Sequence, residues 1–184
     1  MRITVAIAII AAAAPAAVAA DSFYATYIAE RGGAAPCYAR TYDGKHLAAH
    51  PKQKVVHFFL RQSDADQGAP PKSFDLSFGF RLRDSTDSFS SEAGCAAKGD
   101  GAVCSAEGDG GQFKLTPRPD GLLVSVVERL ELEGMESFSP NLAESDDREF
   151  RLYPSPASEC GDDDADDDGG GVIEPLTPSI SRPG

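Results

Sequence analysis

Tryptophan is absent from these 184 residues, methionine occurs twice, histidine three times and cysteine four times. Each scarcity excludes something. Without tryptophan, and with lysine and arginine scattered singly in a chain of net charge -12, there is no stacking platform or basic patch for a phosphate backbone. Nucleic acid is therefore not an expected partner. No stretch approaches the roughly 20 apolar residues of a membrane helix, so no membrane span is expected. The cysteines have no C-x-x-C spacing, which argues against structural zinc. No G-x-S-x-G elbow marks a hydrolase nucleophile.

What is present begins with an address. Residues 1–20, MRITVAIAIIAAAAPAAVAA, place Arg2 before a short apolar run and end in small residues ahead of Asp21. That pattern predicts a signal peptide cleaved at or next to Asp21. No cysteine follows the cleavage site to carry a lipid, so the expected product is periplasmic or secreted. About 164 residues would remain, enough for one domain with a real core.

An oxidising compartment turns an even number of cysteines into two disulfides. Cys95 and Cys104 flank Lys98-Gly99-Asp100-Gly101, and a hairpin turning there sets them opposite one another. Cys37 and Cys160 remain to join the start of the folded region to its end.

Alternation sets the fold class. In Ser73–Arg83, Phe74, Leu76, Phe78, Phe80 and Leu82 alternate with polar or small residues, as in a half-buried strand. Lys54–Gln62 is a second strong strand, with Val56, Phe58 and Leu60 on one face and Val55, His57, Phe59 and Arg61 on the other. Leu122–Val127, Arg129–Glu133 and Glu149–Tyr153 follow. Weaker strands are expected at Cys37–Tyr42, Ala93–Ala97, Ala102–Ala106 and Gln112–Thr116. These predict an all-β domain over 37–160, a single antiparallel barrel or sandwich of about eight short strands. One short helical turn is expected at Asp43–His50, capped by Asp43 and stopped by Pro51. Residues 21–36 fit helix and strand equally. From Gly161 the acidic and Pro/Gly-rich run to Gly184 is expected to be disordered.

Four groups of residues carry possible chemistry. His46, His50 and His57 fall within twelve residues; on a helical turn Asp43, His46 and His50 share a face, and imidazole suits zinc or copper. The ordinary alternative is surface or capping histidines. Tyr38, Arg40 and Tyr42 on one strand face offer an aromatic and guanidinium binding strip, although such residues also border cores. Asp164, Asp166 and Asp168 before Gly169 open like a calcium loop, but Pro175 stands where the bidentate glutamate belongs. The carboxylate pairs Asp84/Asp87 and Asp146/Asp147 read as solvated turn formers rather than acid/base pairs.

CYARTYDGKHLAAHPKQKVVHFF, with FRLR at Phe80–Arg83 and SDDREFRLYPSP at Ser145–Pro156, resembles a group of small uncharacterised exported bacterial proteins, over most of Cys37–Cys160. The resemblance implies a secreted, disulfide-bearing single domain and supplies no functional residues.

The leading expectation is a monomeric, noncatalytic β-domain, without a cofactor, that binds a protein or small-molecule partner. Metal handling through His46, His50 and His57 is second. A small hydrolase is third.

Overall fold

The computed structural model describes residues 23–29, 35–63 and 73–161. The signal sequence, the calcium-like Asp164–Gly169 run and the tail beyond Gly161 lie outside the described residues. Eight strands form a closed antiparallel meander, each pairing with its sequence neighbour: β1 Cys37–Thr41, β2 Val55–Gln62, β3 Ser73–Leu82, β4 Ser88–Lys98, β5 Gly101–Ala106, β6 Gly111–Arg118, β7 Gly121–Leu130 and β8 Glu149–Ser155. β8 returns to β1, with Cys37 opposite Ser155 and Ala39 opposite Tyr153. Of the two architectures expected, the barrel is the one formed. Closure gives each of the eight described strands a partner on both sides, which protects their edges from recruiting another chain.

An eight-stranded barrel has an interior just wide enough for side chains to fill, and here phenylalanine fills it. Eight of the ten phenylalanines are essentially inaccessible to solvent. The rings of Phe58 and Phe150 lie 4.5 Å apart and those of Phe78 and Phe113 4.9 Å. Each such burial contributes about 1.5–3 kcal/mol. One end of the barrel is plugged by Phe23 and Ile28, which flank and close a single π-helical turn, Tyr24–Ile28. Helix is thus the outcome for that part of the ambiguous 21–36 segment. At the opposite rim, the 3-10 turn Leu142–Glu144 buries Leu142.

The helical turn expected after β1 forms as α1, Gly44–Ala49, and the Asp43 carboxylate accepts the His46 N–H at 2.7 Å. Two expectations need correction. Leu122–Val127 and Arg129–Glu133 are not two strands: β7 runs through to Leu130 with a bulge opposite β6, where Gly111 faces Leu130 while Phe113 faces Val126. Gly111 makes this possible, since its φ is 107° and a Cβ there would lie 2.0 Å from the Arg129 carbonyl oxygen. Likewise, a bulge between Val55 and His57 turns Val55 into the barrel beside Phe58 and Leu60 rather than onto the face of His57 and Phe59.

Both disulfides form as expected. Cys95 and Cys104 are directly opposed on β4 and β5. Cys37 and Cys160 join β1 to the 3-10 turn Ala157–Cys160, which packs on the outer wall against Ala39 and Phe59. Among the described residues, no helix is long and apolar enough to cross a membrane.

Candidate functional site

The histidines do not converge. His57, 5% exposed on the outer wall, has both ring nitrogens engaged: Nε2 with the Glu159 carbonyl at 3.0 Å and Nδ1 with Thr41 Oγ1 at 2.9 Å. A carbonyl only accepts, so Nε2 carries a proton and donates, while Nδ1 pairs with the Thr41 hydroxyl and lies 3.8 Å from a Glu159 carboxylate oxygen. His57 thereby fastens the Ala157–Cys160 turn to β2, beside the Cys37–Cys160 bridge. His46 points Nε2 at Gln53 Oε1, 2.9 Å away, and Gln53 in turn donates to the Val55 carbonyl. His50 stacks on His46 with ring centroids 4.4 Å apart. Among the described residues, no group of three or more histidine, cysteine, aspartate or glutamate side chains is placed to hold a metal.

His46 also packs against Tyr42, with tilted rings 4.7 Å apart, and from there a ribbon of side chains crosses the seam that closes the barrel. The Arg40 guanidinium lies 4.4 Å from the Tyr42 ring centre and 5.8 Å from that of Tyr153. Arg151 follows at 5.9 Å from Tyr153, and Asp120 in the β6–β7 turn takes both Arg151 Nη2 and Nε. Two residue groups that looked separate in sequence therefore meet here, the α1 histidines and the β1 tyrosine–arginine strip. Tyr38, like Tyr42, is buried in the core. Tyr153 joins through strand pairing, which its position 111 residues after Tyr42 conceals.

Charge along the ribbon is uneven. Arg151 is neutralised by Asp120, whose hydrogen bonds with Arg151 hold its carboxyl below the usual carboxylate range. Half-buried Arg40 has two tyrosine faces for company and, among the described residues, no carboxylate or carbonyl to accept its N–H groups. Burial pushes the Tyr42 phenol up to about 12; Arg40 opposes that rise, and Asp147 and Tyr153 add to it.

At the rim, the β7–β8 connection makes a small hairpin that the sequence reading missed. Glu133 bridges to Phe138, and Gly134 N–H donates to the Ser137 carbonyl. Asp87, on the β3–β4 turn, accepts the N–H groups of Met135, Glu136 and Ser137 at 3.0–3.1 Å, together with the Ser137 hydroxyl. These bonds, the Glu136 N–H foremost, hold the Asp87 carboxyl below its ordinary range against a smaller desolvation effect. Gly134 leaves room for the carboxylate, since a Cβ there would come 2.5 Å from Asp87 Oδ2 and force it to shift. The fixed hairpin displays Met135, 85% exposed, and Phe138, 65% exposed. A cleft of about 490 Å³ lies beneath, lined in part by Lys54, Leu82, Phe89 and Phe138.

The reading of the carboxylate pairs as solvated turn formers fails at Asp147, which is fully buried. Its oxygens take the N–H groups of Lys54 and Val55 and the Ser145 hydroxyl. A third acid, Glu92, hydrogen-bonds the Ser77 hydroxyl on the outer wall, with no histidine among the partners of that pair in the described residues.

No family model, curated protein or solved structure matches the chain.

Proposed function

We propose that the protein is a noncatalytic β-barrel domain, exported to the periplasm or beyond, that binds a protein partner through the rim hairpin Glu133–Phe138. The observation that carries this reading is Phe138. Of ten phenylalanines it is the one left 65% exposed, on a segment whose backbone is fastened by Asp87. A large apolar side chain in water is informative when the chain holds it there at the cost of four hydrogen bonds to a single carboxylate. Preorganisation matters because a loop ordered before encounter loses little entropy on binding. Aromatic and methionine side chains are also the types enriched at the centres of protein interfaces.

The packed interior supports an external site over a ligand carried in the barrel, because the barrel core is occupied by the rings of Phe58, Phe78, Phe80, Phe113 and Phe150. Export is supported by two disulfides and by the leader-like N-terminus. The test is site-specific photocrosslinking in extracytoplasmic extract of the source cells. A crosslinker at Met135 should give a discrete adduct that Phe138→Ser abolishes, and one at Lys98, at the far end of the barrel, should give none. Equal adducts from both positions, or none from Met135, would refute the assignment.

A further inference from the structure

We infer that the tyrosine–arginine seam is a binding site for a small carboxylate, received by Arg40. The inference is independent of the rim hairpin and rests on the imbalance within the ribbon. Arg151 has the bidentate carboxylate that a guanidinium fork fits, supplied by Asp120. Arg40, on the neighbouring strand, has two aromatic rings beside it where Arg151 has one, and has no oxygen partner among the described residues. Its guanidinium carbon lies over the Tyr42 ring at 4.4 Å and over the Tyr153 ring at 5.8 Å, cation–π contacts that supply no oxygen acceptor for its N–H groups. Both rings carry phenols. Tyr42 is buried, its pKa pushed up to about 12, and keeps its proton at neutral pH, while Tyr153 stands exposed.

Carboxylate is favoured over phosphate by charge. The chain carries a net charge of -12, and Asp120 and Asp147 lie close to the ribbon at Arg151 and Tyr42 respectively. A monoanion meets less repulsion there than a phosphate carrying about -1.5 to -2. One guanidinium with two phenols suits the carboxylate of an acidic sugar or of a peptide terminus.

The experiment is an NMR titration of the full disulfide-bonded chain at pH 7, following the Arg40 Nε–H and the Tyr42 and Tyr153 ring signals. Acetate, glucuronate and inorganic phosphate are the three probes, at matched ionic strength. Acetate or glucuronate should shift these signals saturably, with glucuronate the tighter and phosphate the weakest. Arg40→Gln should weaken binding at least about tenfold, as expected for losing a charge-assisted bidentate pair, and Arg40→Lys should restore only part of it. Because Arg40 contacts buried Tyr42, a variant at exposed Tyr153, Tyr153→Ala, keeps the test open if Arg40→Gln does not fold; it should weaken acetate binding several-fold. Phosphate binding more tightly than acetate would overturn the ligand class. Shifts that fail to saturate, or that persist undiminished in Arg40→Gln and Tyr153→Ala, would overturn the site.

Discussion

The carboxylate of Asp147 accepts the backbone N–H of Val55 at 3.1 Å across a separation of 92 residues, and so ties the approach to β8 to the first residue of β2. The same side chain takes the Lys54 N–H and the Ser145 hydroxyl, both at 2.7 Å. Next to it, the bulge that turns Val55 inward sets the register of the wall carrying His57 and Phe59.

Replacing Asp147 by alanine would leave the Lys54 and Val55 N–H groups without their acceptor at a position closed to water, while the Ser145 hydroxyl would keep the Leu142 carbonyl. We expect a loss of about 2–4 kcal/mol of stability in denaturant unfolding. Asp147→Asn should cost less, since its amide oxygen still accepts from one N–H. Equal stability of Asp147→Ala and the native chain would contradict this account.

How far the sequence reveals these features depends on how local their causes are. The Cys95–Cys104 pairing follows from a four-residue turn, and the β3 alternation from side chains two apart, so both are readable along the chain. Asp147 is not, because Ser145-Asp146-Asp147 looks like any solvated turn and its burial depends on N–H groups from residues 54 and 55. The rim hairpin was hidden for a similar reason. Leu130 and Leu132 suggest a continuing strand, whereas the β7 bulge and the Asp87 acceptor, about 49 residues away, end it. Neither bulge has a pattern of its own at Val55 or Arg129; each is set by its partner strand.

The two disulfides should contribute unequally. Cys37–Cys160 spans 123 residues and Cys95–Cys104 nine. Loop-closure entropy assigns about 5 kcal/mol to the first and about 2.7 kcal/mol to the second. Thermal unfolding of the double serine variants should show the larger drop for Cys37/Cys160, together with release of the Ala157–Cys160 turn, reported by faster exchange at His57. A larger loss for the hairpin pair would contradict the chain-entropy argument.

Gly79→Ala tests the outer wall. A methyl group there would meet the Phe59 ring and the Phe89 carbonyl oxygen, each at 2.8 Å. Ring rotation relieves only the first clash, because the second is with backbone. We expect about 1–3 kcal/mol of destabilisation, and a stability change near zero would show that β4 yields more readily than its pairing implies.

Acid should loosen the rim hairpin before the barrel. The Asp87 pKa is lowered in the folded chain, chiefly by the Glu136 N–H, so its contribution is fully present above the ordinary carboxylate range and is lost as pH falls through the lowered value. The amide signals of Met135, Glu136 and Ser137 should therefore move together on acidification, with a shared midpoint below that of an unperturbed aspartate, about 3.9. Asp87→Asn should remove that shared titration and speed amide exchange at all three positions at neutral pH, leaving the barrel amides protected. If the three amides titrate separately, or with an ordinary carboxylate midpoint, the carboxylate does not hold the hairpin, and the preorganisation on which display of Phe138 rests is lost with it.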